Sequence, residues 1–123
     1  MTTRPRATTR KPPASLVLRV VLGPHASIGP GKVRLLEALD RAGSISGAAR
    51  SLGMSYRQAW LLVDAMNRTL WKPVVETSLG GRGGGGARLT PFGREVIAAY
   101  RGLERRAREA LRPNLTSMRH LID

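Results

Sequence analysis

The sequence predicts a mainly α-helical domain with a small β-hairpin and a long C-terminal helix. Two short segments of helical periodicity, joined by a glycine turn, lie between residues 44 and 70. Two short extended segments flank a run of glycines between residues 74 and 89, and apolar residues recur at helical spacing from 96 to 111. Spacings of three and four are typical of helices and alternation is typical of strands, so each segment indicates its own element.

The composition favours a polyanionic partner. The chain has 123 residues, enough for one small domain, and carries 21 Lys and Arg against 8 Asp and Glu, a formal charge of +13. The phosphate backbone of nucleic acid is the commonest polyanion for a small protein. No apolar run approaches the roughly 20 residues that span a bilayer, so we expect no membrane contact.

Composition also excludes several kinds of site. Cysteine is absent, which removes disulfides, thiolate metal ligands and thiol nucleophiles. The two histidines, His25 and His120, are far apart in the sequence, so no metal or other cofactor is expected. No Ser-His-Asp triad or carboxylate pair stands out, and the sequence does not predict an enzyme.

The first 14 residues differ from the rest of the chain. The stretch MTTRPRATTRKPPA holds four basic residues, three prolines and almost nothing apolar, which predicts a disordered basic arm. Without these four charges the remainder still carries a formal charge of +9. We therefore predict an arm over residues 1–14, a domain over 15–112 and a short tail over 113–123.

The first elements of the domain are predicted to be a strand and a helix. Apolar residues alternate from Leu16 to Leu22, which predicts a half-buried strand, and the loop GPHASIGPG follows it. Apolar residues three apart then predict a helix from about Lys32 to Arg41, which Gly43 ends.

The segment GSISGAARSLGMSYRQAWLLVDAMNRTL is the most informative one. Ser46 is a good N-cap for a short helix, and Gly53 suits its left-handed end. Ser55 and Gln58 form a capping box that begins a second helix, in which Trp60 is expected to lie in the core. Two such helices around a tight turn are typical of a helix-turn-helix, whose second helix enters the major groove of DNA.

A predicted hairpin follows the second helix directly. Val74 to Glu76 and Ala87 to Leu89 are extended segments, and the turn Gly80 to Gly86 between them holds six glycines and Arg82. A hairpin in this place is called a wing, and its tip lies near the DNA backbone or minor groove. Glycine gives the tip little bulk and Arg82 supplies a charge, so the tip is a candidate DNA contact.

Other interpretations of both motifs stay open at this point. Paired helices around a glycine turn also occur in all-helical domains that bind no nucleic acid, and glycine runs are often flexible linkers. A nucleotide-binding loop is disfavoured, because the glycines are not followed by Lys and Ser or Thr and do not open a helix.

The last predicted element is a helix of about 21 residues, roughly 32 Å long. Thr90 is a good N-cap and Pro91 suits the first helical position. An apolar stripe follows at helical spacing, and two copies of it can pair in a symmetric dimer. Alternatively, the stripe only closes the core of its own chain. The stripe comprises Val96, Tyr100, Leu103, Ala107 and Leu111.

The candidate DNA contacts lie at the helix N-termini, on the second helix and in the glycine run. Arg57 can donate two hydrogen bonds to guanine and Gln58 can pair with adenine, although Gln58 also has a capping role. Tyr56 can bond a phosphate or pack on a thymine methyl group, and serines near helix N-termini can bond phosphates. Asp64 would be repelled by phosphate, so the C-terminal half of the helix is expected to leave the groove. The full set is Ser44, Ser46, Ser55, Tyr56, Arg57, Gln58, Leu61, Arg82, Gly83 and Gly84.

Three stretches of the chain resemble one protein family. GSISGAARSLGMSYRQAW, the pair Met66 and Asn67, and above all GGRGGGGARLTPFG are similar to the N-terminal DNA-binding domain of ModE-type molybdate-responsive transcription regulators. That domain is a winged helix-turn-helix related to the LysR-type DNA-binding domain. The resemblance covers roughly Leu16 to Leu111, and the glycine run followed by A-x-L-T-x-x-G is its most specific part.

The resemblance implies a cytoplasmic bacterial or archaeal regulator of molybdenum-related genes that binds a palindromic double-stranded DNA operator as a homodimer. Full-length members of the family continue into C-terminal oxyanion-binding domains, whereas the sequence here ends at Asp123. We therefore expect no molybdate site in this chain. Regulation then proceeds without a sensor or through a separate molybdate-sensing protein. The alternative function is that of a nonspecific nucleoid-associated or RNA-binding basic protein, which the same charge would drive.

Overall fold

Residues 14–78 and 85–122 are described by the computed structural model of the chain. Within these ranges the chain forms four α-helices and two antiparallel two-stranded hairpins, which confirms the predicted mainly α-helical class. The strands are β1 (Val20–Val21), β2 (Ser27–Ile28), β3 (Val75–Thr77) and β4 (Ala87–Leu89). The helices are α1 (Pro30–Ala42), α2 (Ile45–Leu52), α3 (Tyr56–Thr69) and α4 (Pro91–Met118), and a 3-10 turn follows at Arg119–Ile122.

The N-terminal strand is shorter than predicted. Only Val20–Val21 pairs, and its partner Ser27–Ile28 lies inside the segment predicted to be a loop. Residues 16–19 keep the alternating burial that the sequence indicates. Their extended chain contacts α4, where the Tyr100 hydroxyl donates a hydrogen bond of 2.7 Å to the Leu18 carbonyl.

Local capping rules set most of the helix ends. Gly43 and Gly53 end α1 and α2 in the left-handed conformation, with φ angles of 73° and 68°. Ser55 caps α3 and Thr90 caps α4, each accepting a hydrogen bond from the amide three residues later, at 3.1 and 2.9 Å. All four of these predictions are confirmed.

The N-cap of α2 is Ser44 and not Ser46 as predicted. Ser44 Oγ accepts a hydrogen bond from the Gly47 amide at 2.9 Å, and the helix begins at Ile45. Both serines suit a cap, but Ile45 is only 6% exposed and fills the core from the first turn. The helix therefore begins before Ser46, which lies exposed within it.

One apolar core lies between the first three helices and the β3–β4 hairpin. Each large side chain in it contributes about 1.5–3 kcal/mol by leaving water. The helix α3 enters the core through Ala59, Val63 and Met66. The other buried members are Leu35, Leu36, Ala38 and Leu39 from α1, Ile45, Ala48 and Ala49 from α2, and Val74, Val75, Ala87 and Leu89 from the hairpin and the residue before it.

Asn67 joins the last turn of α3 to the start of the wing. Its Oδ1 accepts hydrogen bonds from the amides of Val74 and Val75, at 2.8 and 3.3 Å. Its Nδ2 donates a hydrogen bond of 3.0 Å to the Val75 carbonyl. Val74 and Val75 are 0% and 3% exposed, so these main-chain groups depend on protein partners. One side chain thereby satisfies three main-chain groups and fixes β3 against α3.

The carbonyl of Val74 fixes the start of α4. It accepts a hydrogen bond from the Thr90 amide at 3.0 Å, and the Thr90 hydroxyl donates to the Pro73 carbonyl at 2.7 Å. Gly93 lies so close that a Cβ built on it would be 2.3 Å from the Val74 carbonyl oxygen. This close approach is open to glycine because it has no side chain.

Helix α4 is longer than the predicted helix of about 21 residues. It has 28 residues and continues through Pro113 to Met118, within the segment 113–123 that the sequence predicts to be a tail. Proline removes one hydrogen bond from a helix interior. Pro113 and its neighbours are exposed, so water can satisfy the carbonyl that loses its partner.

Arg101 ties α4 to α1 through charged hydrogen bonds. Its guanidinium donates to both carboxylate oxygens of Glu37, at 2.7 and 3.1 Å, and to Glu104 at 2.8 Å. Glu104 is 4% exposed and also accepts a hydrogen bond from Arg108 at 3.3 Å. The hydrogen bond from Arg101 lowers the pKa of Glu37 below its ordinary value of 4.5.

Replacing Glu37 by glutamine is expected to lower the free energy of unfolding at pH 7 by about 1–2 kcal/mol, because a partly buried charged hydrogen bond is lost. A carboxyl group whose pKa is lowered by folding stabilises the protein above its unfolded pKa. That contribution is lost as the pH falls through the folded pKa. Urea denaturation should therefore show the variant and the wild type converging below about pH 4.5. Glu95→Gln, at an exposed carboxylate, is the control. A difference between Glu37→Gln and the wild type that does not shrink as the pH falls contradicts the assignment.

Candidate nucleic-acid interface

The leading end of α3 lies at the protein surface. Ser55, Tyr56, Arg57 and Gln58 are all exposed, and Tyr56 is 55% exposed. Ala59, the next residue, is fully buried. The first turn of α3 is therefore anchored in the core, while its outer side chains face solvent. This geometry is typical of a recognition helix, whose first residues contact base edges.

The side chain of Gln58 has no partner among the described residues. Its amide N–H binds Ser55 Oγ, but within residues 14–78 and 85–122 its side chain forms no hydrogen bond. The Ser55 half of the predicted capping box is confirmed, and the reciprocal half does not form there. The carboxamide of Gln58 is thus available to pair with a base.

Charge on α3 is concentrated at its leading end. In the described part of the chain, Arg57 has no ion-pair partner. Farther along the helix, Asp64 and Arg68 form an ion pair at 3.0 Å and largely offset each other. A surface of phosphates therefore attracts the first turn of α3 more strongly than the last.

Trp60 lies at the surface, and the prediction that it belongs to the core is wrong. Its side chain is 44% exposed, and that of the neighbouring Leu61 is 47% exposed. Ala59 and Val63, at 0% and 4%, occupy the core-facing positions of this turn. The indole of Trp60 lies beside that face and therefore stays exposed in spite of its size.

The candidate serines lie at the N-termini of α2 and α3. Ser44 is half-buried and its hydroxyl accepts the capping hydrogen bond, as does the hydroxyl of the exposed Ser55. Ser46 is exposed in the first turn of α2. Hydroxyl groups and free amides at helix N-termini bind phosphates, so both helix starts remain candidates for backbone contacts.

The β3–β4 hairpin confirms the predicted wing. The pairs are Val75 with Leu89, Glu76 with Arg88 and Thr77 with Ala87. Pairing continues beyond the strands, because the Ser78 amide donates a hydrogen bond of 2.9 Å to the Gly86 carbonyl. The candidate contacts at the tip, Arg82, Gly83 and Gly84, lie outside the described residues.

The structure gives one glycine of the run a role that the sequence did not indicate. A Cβ built on Gly85 would be 2.4 Å from the Ser78 carbonyl oxygen, so close pairing of the hairpin itself favours glycine there. The base of the wing is also tied to the turn before α2, because the Ala87 amide donates to the Gly43 carbonyl at 2.9 Å. The residues that flank the glycine run thus belong to one packed hairpin, which disfavours the linker interpretation.

The apolar stripe of α4 divides into a buried part and an exposed part. Val96 packs on the core and Tyr100 is 3% exposed, so both serve the interior of their own chain. Ala107 is half-buried, whereas Leu103 and Leu111 are 47% and 40% exposed. The core-closing interpretation holds for the first part of the stripe. Pairing of two copies stays a prediction, and its exposed contributors are Leu103 and Leu111.

Within residues 14–78 and 85–122, no group of three or more His, Asp or Glu side chains is placed to hold a metal ion. Over the same part of the chain, every helix is too short or too polar to cross a membrane.

Residues 31–94 match the model of a family described as bacterial regulatory helix-turn-helix proteins, lysR family. The matched range begins in the first turn of α1 and ends in the first turn of α4. It therefore contains both helices of the helix-turn-helix and the whole wing.

Three curated proteins illustrate the similarity to known sequences. Molybdenum-pterin-binding protein MopB of Rhodobacter capsulatus is 53% identical over 79 residues, which are 64% of this chain and 29% of MopB. Molybdenum transport protein ModE of Azotobacter vinelandii is 46% identical over 80 residues, 65% of this chain and 30% of that protein. The DNA-binding transcriptional dual regulator ModE of Escherichia coli K12 is 37% identical over 87 residues, 71% and 33% of the two chains. The chain thus spans about a third of the length of these relatives.

Proposed function

Because the chain belongs to the lysR family of bacterial regulatory helix-turn-helix proteins, we propose that it is a transcriptional regulator that binds double-stranded DNA at specific sequences. The observation that carries this proposal is the exposed leading end of α3, where the side chains of Arg57 and Gln58 have no partners in the described part of the chain. In this arrangement α3 lies in the major groove and the wing lies along the backbone or in the minor groove.

The proposed contacts divide into base reading and backbone binding. Arg57 donates two hydrogen bonds to guanine, and Gln58 pairs with adenine. Ser46 and Ser55 bind phosphates together with the amides of the helix starts, and Arg82 in the wing binds phosphate or the minor groove. Ser44 supports this surface mainly as the cap of α2, since it is half-buried, whereas Ser55 caps α3 from an exposed position.

A homodimer is part of the proposal. Closed, symmetric dimers suit palindromic operators, because each copy reads one half of the site. Leu103 and Leu111 offer exposed apolar surface on α4. Beside Leu103 lies an apolar cavity of about 200 Å³, whose lining includes Leu22 and Phe92 and continues that surface.

The proposed targets are molybdenum-related genes, and the proposed location is the bacterial cytoplasm. The relatives from Rhodobacter capsulatus and Azotobacter vinelandii carry molybdenum in their names, and the one from Escherichia coli is named a DNA-binding transcriptional regulator. A separate molybdate-sensing protein is proposed as a further partner. Adding molybdate to gel-shift reactions with the full chain tests whether this chain responds to the oxyanion by itself.

Arg57→Ala is expected to weaken binding to a selected duplex about fivefold to a hundredfold, and to weaken binding to random duplexes much less. The loss follows from the bidentate contact to a base, which random sites lack. Arg82→Ala should weaken binding to both kinds of duplex by similar factors, because a phosphate contact carries no sequence information. The measurement is a gel shift with the full chain, on duplexes selected from a random pool and on unselected ones. Arg112→Ala, at the exposed far end of α4, is the control.

The alternative is a nonspecific nucleoid-associated or RNA-binding protein, which the charge of +13 favours. It predicts that the pool yields no enriched sequence and that both arginine variants weaken all duplexes equally. Two copies of the chain on each selected duplex, measured by sedimentation, support the regulator and its dimer. Equal binding to RNA and DNA supports the alternative.

A further inference from the structure

Three large side chains with apolar surface lie exposed on the leading half of α3. Tyr56 is 55%, Trp60 is 44% and Leu61 is 47% exposed. None of them belongs to the apolar core of the chain. Folding therefore leaves apolar surface exposed on the helix that also carries Arg57, which has no ion-pair partner among the described residues. Exposed apolar surface of this kind on a small protein is typical of a binding site.

The spacing of these residues places them around Arg57. Trp60 follows Tyr56 by four residues and so lies one turn later on the same side of the helix. Leu61 follows Arg57 by four residues and lies one turn behind it. Trp60 also follows Arg57 by three residues, so Trp60 and Leu61 both lie one turn behind the side chain that donates to guanine. We refer to Trp60 and Leu61 as the apolar patch.

The major groove offers one apolar group to such a patch. Guanine, cytosine and adenine present hydrogen-bond donors and acceptors there, whereas thymine adds a 5-methyl group. We propose that Trp60 is a specificity-determining residue that, with Leu61, contacts thymine methyl groups next to the base pair read by Arg57. This inference rests on the proposed function, because it requires α3 to lie in the major groove.

Two positions of the chain allow the methyl contact to be separated from a polar role of the indole. Trp60 also has an N–H group that can donate to a phosphate, and phenylalanine at this position keeps the ring while removing that donor. Trp71 provides a matched control. It is 79% exposed, but it lies after α3, where it meets Phe92 edge to face at 5.9 Å and carries Lys72 over its ring at 4.2 Å.

The test replaces thymine by deoxyuridine, which lacks only the methyl group, at each thymine of the selected duplex in turn. At one or two positions the wild-type protein should lose about threefold to fivefold in affinity, the effect of removing a buried methyl group. Trp60→Ala should bind the thymine duplex about as weakly as the wild type binds the deoxyuridine duplex, and it should show no further loss on the substitution. Trp60→Phe should keep most of the difference between the two duplexes.

The control variant Trp71→Phe should behave as the wild type in all of these measurements. It also leaves Trp60 as the single tryptophan, since the chain has two. Its fluorescence should then change on binding the selected duplex, and the fluorescence of Trp60→Phe should change little. Thermal unfolding of each variant verifies that it is folded at the temperature of the assay.

The outcomes separate this inference from the proposed function. A pool that yields no enriched sequence overturns both. An enriched sequence whose thymines can all be replaced by deoxyuridine without loss overturns the methyl contact and leaves the regulator standing. Equal losses for Trp60→Phe and Trp60→Ala, with no effect of deoxyuridine, assign the indole N–H to a phosphate and also overturn it.

Discussion

Replacing Gly93 by alanine is expected to lower the free energy of unfolding by about 2–4 kcal/mol. The added Cβ would lie 2.3 Å from the Val74 carbonyl oxygen and 3.1 Å from its carbonyl carbon. These are main-chain atoms of a fully buried residue, so no side chain can rotate to relieve the overlap. The start of α4 and the main chain just before β3 must then move apart, which weakens the hydrogen bond between the Thr90 amide and Val74.

Gly102→Ala is the matched control for this prediction, because both glycines lie within α4. A Cβ built on Gly102 meets nothing closer than the end of the Arg105 side chain, at 3.9 Å. Alanine there should be neutral or stabilise the helix by up to about 1 kcal/mol. Urea denaturation followed by circular dichroism measures both variants. A Gly93→Ala protein as stable as the wild type would show that the approach of α4 to Val74 is not tight in solution.

Replacing Asn67 by alanine is expected to cost about 2–3 kcal/mol, because three main-chain groups of Val74 and Val75 lose their partner. Hydrogen exchange adds a local measurement. The amides of Val74 and Val75 should exchange much faster in the variant than in the wild type. Exchange of the amides in α1 should change only as much as the change in global stability requires. Binding to the selected duplex should weaken as well, since β3 is no longer fixed against α3.

Asn67→Asp separates the two roles of that carboxamide. A carboxylate keeps an acceptor for the two amides but loses the donor to the Val75 carbonyl, so its stability should lie below that of the wild type. Asn114→Ala, at an exposed position of α4, should change stability by no more than about 0.5 kcal/mol. If Asn67→Ala is as harmless as Asn114→Ala, the side chain does not hold the wing.

The features that the sequence predicts well are governed by local rules. Gly43 and Gly53 end helices because their left-handed conformation is costly for other residues. Ser55 and Thr90 cap helices because a hydroxyl satisfies an amide three residues later. The core face of α3 follows from the spacing of its apolar residues. Each of these depends on a few neighbouring residues and is therefore visible in the chain itself.

The features that could not be predicted from the sequence depend on tertiary contacts. Ser44 and Ser46 are equivalent as caps until Ile45 is placed in the core. Trp60 is large and apolar, but its position around the helix axis left it exposed. The strand Ser27–Ile28 exists through its pairing with β1. Pro113 suggests a helix end, yet it is tolerated where the helix faces water.

The roles of Asn67 and Gly93 also could not be predicted without the fold. An asparagine near the end of a helix and a glycine near the start of another have many uses, and neither residue type indicates a contact with Val74. The residues lie 7 and 19 positions from it in the chain. Both contacts are made across the tertiary structure, through a side-chain hydrogen bond in one case and a close approach of two main chains in the other.

The main chain of Val74 is held from two sides, by Asn67 at the end of α3 and by Thr90 at the start of α4. The two helices are therefore coupled through one buried residue, which restricts their relative tilt. In a symmetric pair of chains, this rigidity sets the separation and rotation of the two reading surfaces. Each extra base pair between the two halves of an operator rotates one half by roughly a tenth of a turn. Inserting or deleting a single base pair at its centre should therefore disrupt binding, with little scope for the protein to adjust.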